Sequence, residues 1–389
     1  MAFADKRRHD RWTTPSNLKF RWPEWFLSED SKPSKRTWKS ASHLPFHSLA
    51  YCMPMHIGTN EGEFDYFFHD AVKLPSLTWS FREDGVAQTL YCVCDSRIWD
   101  IHLANLEWFL ANTKATTGIY NDCAHVKYCE NPRHGHGGLD AFGKSYSSVC
   151  WLEQREYFLR EFRLMKKYGR NLRLHSPSAD FVPFVMGFCD EIWTGEEFYA
   201  SVLDSLECYT ETVRKEEWQS AFNTDVRGVP FHLLAQYGRA AGSMAGGEAT
   251  RRKFNKDAEW AERTIAACIV HDVPVSAAWI DAKTVDRWWV VKEELKLWDA
   301  KFVGYWQEGA AKGFAKGLLV SYYKLSSAAP YRFLVVVSNF SRDNLRLGSG
   351  VFPFAKAEAH EFWSGRDVAV KDIAELEIPA KKFILLGVR

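Results

Sequence analysis

The sequence predicts an α/β protein, with a (β/α)8 TIM-type barrel followed by a small C-terminal antiparallel β-sandwich. Strand-like apolar runs alternate with helical patterns about seven times, which is typical of a parallel sheet wrapped by helices. No GxGxxG fingerprint accompanies this alternation, so a barrel is favoured over a doubly wound sheet. The predicted domains are an irregular N-terminal arm (1–45), the barrel (46–298) and the sandwich (299–389).

The barrel elements follow from hydrophobic periodicity. Apolar residues recur at helical spacing in IWDIHLANLEWFLANT, in WLEQREYFLREFRLMKKYG, which Gly169 closes as a C-cap, in ASVLDSLECYTETVRKEEW, and in two later segments, 257–271 and 288–298. The predicted strands between them are HSLAYCMP, QTLYCVCDS, TTGIYND, NLRLHS, FVMGFCDEIW, RGVPFHLL and PVSAAWI.

The C-terminal pattern is different. Short β-type runs such as GLLVSYYKL, YRFLVVVSNF and KKFILLGVR are separated by Gly, Asp, Asn or Pro, with no helical pattern between them. This pattern predicts an antiparallel sandwich of about 90 residues.

Composition excludes some classes of function. The chain is 46% hydrophobic and 25% charged with a net charge of +1, which gives no electrostatic reason to expect nucleic acid or an anionic membrane as a partner. Aromatic residues reach 15%, including 17 Trp. Stacking on sugar rings would use such residues, although core packing accounts for most of them.

The sequence also bears on location. No run approaches the ~20 apolar residues of a membrane span, and the N-terminus carries charges where a signal peptide would be apolar. The 9 Cys show no secreted disulfide framework. We expect a soluble protein, cytoplasmic or else secreted or periplasmic after removal of a signal peptide, and the oligomeric state stays open.

Acids, histidines and tryptophans follow several predicted strands. Because the carboxyl ends of barrel strands form the active face, we expect these side chains to converge there. Glycoside hydrolysis needs one carboxyl as proton donor, one ionised carboxylate and aromatic rings that hold the sugar. The candidates are Asp95, Asp122, His175, Asp190, Glu191, Trp193, Glu196, His232 and Trp279.

Catalytic roles are predicted for four acids. Asp122 ends the strand TGIYND and is the expected ionised carboxylate. The general acid is left open between Glu196, which follows Gly195, and the adjacent pair Asp190 and Glu191, of which only one can face the barrel axis. The other candidates, together with His125, are expected to contact the substrate.

The loop after Asp122 suggests a second chemistry. Cys123, His125, Cys129, His134 and His136 are zinc ligands by type, but their spacing fits no standard finger. We therefore expect no cofactor, with a zinc site, structural before catalytic, as the minority alternative.

Four stretches carry a resemblance to a known family: GIYNDCAHVKYCENPRHGHGG, WLEQREYFLREFRLMKKYG, LRLHSPS and FCDEIWTGEEF. Over roughly 48–306 the chain resembles bacterial glycoside-hydrolase-like proteins related to glycoside hydrolase family 123. The resemblance implies a sugar-cleaving barrel with Asp122, His175, Asp190 and Glu196 in its active site, and a C-terminal β-domain. The sequence departs from the family pattern at the end of the strand GIYND: the family has an adjacent Asp-Glu pair there, and this chain has Asn121-Asp122.

The sequence therefore predicts a glycosidase that cleaves an oligo- or polysaccharide with paired carboxylates. One alternative is a non-catalytic carbohydrate-binding protein on a barrel scaffold. The other is a metal-dependent hydrolase or lyase that uses the Cys/His loop.

Overall fold

The computed structural model describes most of the chain beyond residue 48. The predicted N-terminal arm lies outside the described residues. These residues form two compact units, one ending at Thr194 and the other running from Gly195 to Arg389. The predicted limits 46–298 and 299–389 divide the chain differently and stay predictions. The described ranges are 49–52, 55–58, 71–73, 78–80, 87–93, 95–112, 118–135, 137–177, 181–238, 253–254, 256–277, 279–354 and 358–389.

The first unit alternates short strands with helices. Its elements are β1 (Leu49–Cys52), β2 (His56–Gly58), β3 (Thr78–Ser80), β4 (Ala87–Leu90), α1 (Ser96–Asn112), β5 (Gly118–Asn121), β6 (Gly138–Leu139), β7 (Ser145–Tyr146), α2 (Trp151–Lys167), β8 (Asn171–His175), α3 (Pro183–Met186) and β9 (Glu191–Thr194).

A parallel sheet organises this unit. Its strands lie in the order β1, β5, β8, β9, and each pairs in parallel with its neighbour. Asn121 pairs with Leu174, and His175 pairs with Trp193. The residues that follow β5 and end β8 therefore meet at the same edge of the sheet, as the sequence predicts for parallel strands.

Strand β4 is not part of this parallel sheet. It pairs antiparallel with both β2 and β3 in a separate three-stranded sheet. The prediction that QTLYCVCDS is the second strand of a parallel barrel is wrong in this respect, because strand-like alternation does not specify the pairing partner. Asp95 consequently does not follow a strand of the parallel sheet.

Helices α1 and α2 share buried polar contacts with the sheet. Glu161 of α2 is fully buried, accepts a hydrogen bond from Asn121 Nδ2 at 2.7 Å, and lies 3.5 Å from His102 Nε2. Helix α2 ends at Lys167, and Gly169 adopts φ 63°. The predicted glycine C-cap is confirmed, since a left-handed residue at this position costs glycine least.

The second unit contains short helices, two longer helices and most of the antiparallel structure. Its elements are α4 (Tyr199–Asp204), α5 (Cys208–Glu211), α6 (Lys215–Ser220), α7 (Thr224–Arg227), β10 (Phe231–Leu233), α8 (Ala258–Ile269), α9 (Ala282–Glu294), β11 (Lys301–Val303), β12 (Leu318–Lys324), β13 (Phe333–Asn339), β14 (Leu345–Arg346), β15 (Ala359–Glu361), β16 (Arg366–Val368), β17 (Glu377–Ile378) and β18 (Phe383–Val388).

Two predicted elements differ here. The segment predicted as one helix, ASVLDSLECYTETVRKEEW, forms α4, α5 and α6, because Ser205 is extended (φ −150°, ψ 120°) and Arg214 begins a new helix. In the part of PVSAAWI that the structure describes, a parallel bridge from Val275 to Leu233 of β10 takes the place of the predicted strand.

The C-terminal region is antiparallel, as predicted. Six strands pair in the order β11, β12, β13, β18, β15, β16, while β14 pairs with β17. Their apolar side chains share one core, in which Val337, Ile378 and Leu386 are at most 1% exposed. The central strands β12, β13 and β18 are buried along almost their whole length, so side chains on both of their faces are covered.

Two serines join helix α8 to this sheet. Ser321 of β12 donates its hydroxyl to the carbonyl of Val270 at 2.7 Å, and Ser338 of β13 donates to Ala266 at 2.7 Å. Both serines are fully buried. The carbonyls at the end of α8 thus gain partners that the helix itself does not supply.

The protein is therefore mixed α/β, with a parallel sheet and an antiparallel sheet. Among the described residues, every helix is too short or too polar to span a lipid bilayer.

Candidate functional site

Asp122 and His175 form a close pair at the carboxyl ends of two adjacent parallel strands. His175 Nδ1 lies 2.5 Å from Asp122 Oδ1, which also accepts the Cys123 amide at 2.8 Å. The Asp122 side chain is 18% exposed and that of His175 only 4%. A carboxylate with two donors on one oxygen is fixed in orientation, yet this one still reaches solvent.

The His175 ring is restricted by its surroundings. Nε2 is buried and has no hydrogen-bond partner among the described residues. Tyr120 stacks on the ring at a centroid distance of 5.6 Å, which restricts its rotation. We refer to these two residues as the Asp122–His175 pair.

The chain turns sharply after β5. Cys123 has φ 55°, a left-handed value that is uncommon for a residue other than glycine, and Ala124 then donates its amide to the carbonyl of His175 at 2.8 Å. Backbone strain of this kind is concentrated at functional sites.

His125 and Lys127 lie beside this pair. Lys127 Nζ is 2.8 Å from His125 Nε2, and Gln154 holds the Lys127 backbone through both of its amide atoms, at 2.8 and 2.7 Å. Burial lowers the pKa of Lys127 to about 8. Burial also lowers the pKa of His125 to about 3, with further contributions from Lys127 and His175. At neutral pH the ammonium therefore donates to a neutral imidazole.

Asp190 and Glu191 stand at the start of β9, not at its end. The predicted strand FVMGFCDEIW is shorter, because Pro183 begins helix α3 and only Glu191–Thr194 is extended. These acids therefore lie on the amino side of the parallel sheet, away from the edge that carries Asp122.

Both acids are engaged in ion pairs. Asp190 accepts Lys166 Nζ at 2.5 Å and the Leu172 amide at 2.8 Å. Glu191 accepts Arg173 Nε at 2.6 Å, and both side chains of this pair are 0% exposed. These contacts hold neighbouring elements together.

Trp193 is a packing residue in the first unit. It is 2% exposed, its ring meets Tyr120 edge-on at 5.6 Å, and the Arg173 guanidinium lies 4.1 Å from its ring centroid. Trp193 thus packs against Tyr120, and Arg173 packs against the other residue of this contact, Trp193.

Asp95 lies apart from these residues along the chain, in the turn after β4. Arg97 binds both of its carboxylate oxygens, at 2.9 and 2.5 Å. Burial raises the pKa of Asp95, but the hydrogen bonds from Arg97 outweigh it and hold the pKa below its usual value.

Three predicted residues belong to the second unit. Glu196 begins a 3-10 helix (Glu196–Phe198) and is half-buried, whereas His232 of β10 is 2% exposed. Trp279 is half-buried and has φ 71°, an outlier for a bulky side chain.

Gly195 controls the position of Glu196. It has φ 127°, and a Cβ at this residue would lie 2.5 Å from the carbonyl oxygen of Leu234. Only glycine fits here, so the turn into Glu196 is fixed by the sequence.

The Cys/His loop divides into two groups. Cys123 and His125 lie near Asp122, whereas Cys129 and His134 lie with Cys92, which the sequence analysis did not include. His136 lies outside the described residues. Lys127 was also missed, although one signal for it exists: a lysine alternates with His125 and Cys129 in HVKYC.

Comparisons with known proteins concern architecture. No protein-family model matches the chain, and no curated protein matches it. Among solved structures, a family 36 α-galactosidase from Geobacillus stearothermophilus is 11% identical, with 96% of this chain and 49% of that chain covered and a TM-score of 0.46. An α-amylase from Anoxybacillus is 10% identical, with 94% and 80% covered and a TM-score of 0.49.

A third similar structure is the galactosidase domain of an α-galactosidase–sucrose kinase, at 11% identity and a TM-score of 0.45, covering 88% of this chain and 44% of that one. The chain spans about half the length of both galactosidases. Because these TM-scores lie below 0.5, we derive the chemistry from this chain's own side chains.

Proposed function

We propose that this protein is a glycoside hydrolase in which Asp122 is the ionised catalytic carboxylate. The observation that carries the proposal is the Asp122–His175 pair: a half-buried acid at the carboxyl edge of a parallel sheet, oriented by a buried imidazole. Sugar cleavage needs a carboxylate in a fixed position beside an oxocarbenium-like transition state. Of the three predicted catalytic acids in the first unit, Asp122 alone combines solvent access with such a fixed orientation.

The proposed mechanism assigns one role to each group. Asp122 stabilises the developing positive charge or attacks the anomeric carbon, while the Nδ1 proton of His175 keeps its carboxylate in one rotamer. As the sequence predicts, Glu196 is the candidate general acid and Trp279 a candidate for stacking on a sugar ring. Asp190 and Glu191 retain their ion pairs and are not assigned a catalytic step.

The remaining finer predictions belong to the same proposal. They are the closed (β/α)8 barrel, the β-sandwich, an oligo- or polysaccharide as substrate, and a resemblance to family 123. The mixed α/β architecture and the edge position of Asp122 support them.

A glycan panel tests the proposal. Wild-type protein should hydrolyse at least one member, and Asp122→Asn and Glu196→Gln should each lower kcat by about 10²-fold or more. Asp100→Asn is the matched control, because Asp100 is an acid of α1 with a 60% exposed side chain. If Asp122→Asn and Glu196→Gln both kept full activity, the assignment would be wrong.

The role of Asp122 can be resolved further. If Asp122 is the nucleophile, Asp122→Gly with sodium azide should form a glycosyl azide from an activated substrate, with the anomeric configuration opposite to that of the substrate. With Glu196→Ala, an azide product that keeps the substrate's anomeric configuration would fit a general acid/base role for Glu196, whereas the opposite configuration would make Glu196 the nucleophile.

A non-catalytic carbohydrate-binding protein is the second candidate. The observation that favours it is the engagement of Asp190 and Glu191 in ion pairs, which leaves Asp122 as the one predicted catalytic acid of the first unit outside such a pair with Lys or Arg. This candidate predicts glycan binding by calorimetry with no product on prolonged incubation. It also predicts equal affinity for wild type and Glu196→Gln.

A further inference from the structure

Two cysteines and a histidine come together in the first unit, separate from the Asp122–His175 pair. The sulfurs of Cys92 and Cys129 and a ring nitrogen of His134 all lie within 4.8 Å of one another. Both cysteines are buried and His134 is half-buried. We propose that Cys92, Cys129 and His134, here called the Cys–His cluster, bind Zn²⁺ or a divalent cation of similar softness.

The spacing suits a tetrahedral ion. Cys129 Sγ lies 3.5 Å from His134 Nδ1. With Zn–S near 2.3 Å and Zn–N near 2.0–2.1 Å, the sulfur–nitrogen edge of a tetrahedron is about 3.6 Å and the sulfur–sulfur edge about 3.8 Å. The observed distance from Cys129 Sγ to His134 Nδ1 already matches the sulfur–nitrogen edge. The sulfur–sulfur edge is shorter than 4.8 Å, the distance within which the sulfurs of Cys92 and Cys129 lie.

Backbone hydrogen bonds fix the chain at each of the three ligand residues. Cys92 donates its amide to a neighbouring carbonyl at 2.7 Å, and Cys129 exchanges two hydrogen bonds with Ser148 at 3.0 and 3.1 Å. His134 ends a 3-10 helix whose N-cap is Asn131. The segment after β4 and the loop after Asp122 thus present their ligands without further ordering, which lowers the entropic cost of binding.

Hydrogen bonds mark the position that a cation would take. Asn131 Nδ2 lies 3.2 Å from His134 Nε2, so Nε2 accepts and the Nδ1 proton points at the Cys129 sulfur. The backbone N–H of Asn131 also donates to the Cys129 sulfur, at 3.4 Å. A bound cation replaces the proton between Nδ1 and Sγ.

Binding also redistributes protons. Both thiol protons pass to solvent as the sulfurs become thiolates. The single proton of the neutral His134 imidazole moves from Nδ1 to Nε2 through solvent, and the Asn131 side chain gives up its contact with the ring. The three ligands leave one tetrahedral position for water.

The cation would tie the loop after Asp122 to the segment after β4. This site differs from the set expected from the sequence, because it includes Cys92, whereas Cys123 and His125 lie near Lys127 and Asp122. It is also independent of the proposed glycosidase activity, since metal binding is measured without a sugar.

Cobalt titration of the full-length, reduced, metal-free protein tests the proposal. We expect a sulfur-to-cobalt charge-transfer band that saturates at one equivalent, visible bands typical of tetrahedral Co²⁺, and displacement by Zn²⁺. Cys92→Ser and Cys129→Ser should each weaken binding by about 100-fold or more and reduce the charge-transfer intensity. The double variant Cys123→Ser/His125→Gln is the matched control and should bind as wild type does.

A second measurement covers variants that fail to fold. X-ray absorption of the zinc-loaded wild-type protein should show two sulfur ligands and at least one nitrogen ligand. Absence of the charge-transfer band, loss of it only in the Cys123/His125 variant, or a shell of oxygen and nitrogen alone would overturn the proposal.

Discussion

Nδ1 of His175 lies 2.5 Å from Oδ1 of Asp122, and the two residues come from neighbouring parallel strands. The contact depends on strand register: Asn121 is opposite Leu174, so the next residue on each strand reaches the same edge. One imidazole nitrogen is therefore directed at the carboxylate, and the other is buried without a hydrogen-bond partner among the described residues.

His175→Ala should lower kcat on the substrate found in the glycan panel by about 10²-fold, with a smaller change in KM, because the Asp122 carboxylate loses its fixed orientation. His175→Asn should retain more activity, since the amide nitrogen of Asn can occupy the position of Nδ1 and donate to Asp122. Steady-state kinetics measures both. Equal losses in the two variants would contradict a positioning role.

Arg173→Met should destabilise the protein by about 3–5 kcal/mol, because it leaves the buried carboxylate of Glu191 without its partner. Both side chains are 0% exposed, so water cannot compensate. The double variant Arg173→Met/Glu191→Leu should recover most of the loss. Urea unfolding of the four proteins in this cycle gives the coupling energy, and a strictly additive double variant would argue against the pair.

Gly195→Ala should lower stability by more than Gly228→Ala does. Both glycines have positive φ, 127° and 78°, so each substitution carries a conformational cost of about 1–2 kcal/mol. At Gly195 the new methyl group also meets the Leu234 carbonyl at 2.5 Å, whereas nothing lies within 4 Å at Gly228. Thermal unfolding compares them, and equal shifts in Tm would contradict the crowding at Gly195.

Acid should destabilise the second unit through His271. This residue is buried, donates Nδ1–H to the Ala267 carbonyl and accepts from the Tyr305 hydroxyl at Nε2, and burial lowers its pKa to about 3. Between about pH 6.5 and 3, His271 is protonated in the unfolded chain, where its pKa is near 6.5, but stays neutral in the folded protein. Stability contributed by this group is therefore complete above about pH 6.5 and falls by about 1.4 kcal/mol per pH unit below it.

His271→Phe provides the measurement. The ring would still stack between Trp218 and Trp306, whose centroids lie 5.4 and 5.7 Å away. We expect a lower stability at pH 7 and a shallower decline between pH 6.5 and 4 in urea unfolding. An unchanged slope would show that other groups dominate acid unfolding.

Local pattern predicts local structure in this chain. Helix α2 and strands β5 and β8 match their predictions closely, because a 3.6-residue apolar period or a short buried run leaves few alternatives. Asp122 and His175 could be predicted at one edge for the same reason, since parallel strands share the direction of their carboxyl ends.

Long-range pairing was not predictable from the same evidence. β4 alternates like any strand but pairs antiparallel, and Cys92 meets Cys129 and His134 only through the tertiary fold. Asp190 and Glu191 were misplaced along β9 because an apolar run before a pair of acids fits a strand and a short helix equally well. Pro183 was the available signal for the helix.

The two serines that donate to the end of helix α8 have an evolutionary consequence. Ser321 and Ser338 come from the antiparallel sheet, yet they satisfy carbonyls of a helix that precedes it in the chain. A recombination event that exchanged this sheet for another would leave those carbonyls buried and unmet, unless the incoming sheet also placed hydroxyls there. The C-terminal sheet should therefore have been inherited together with α8, not shuffled as a separable module.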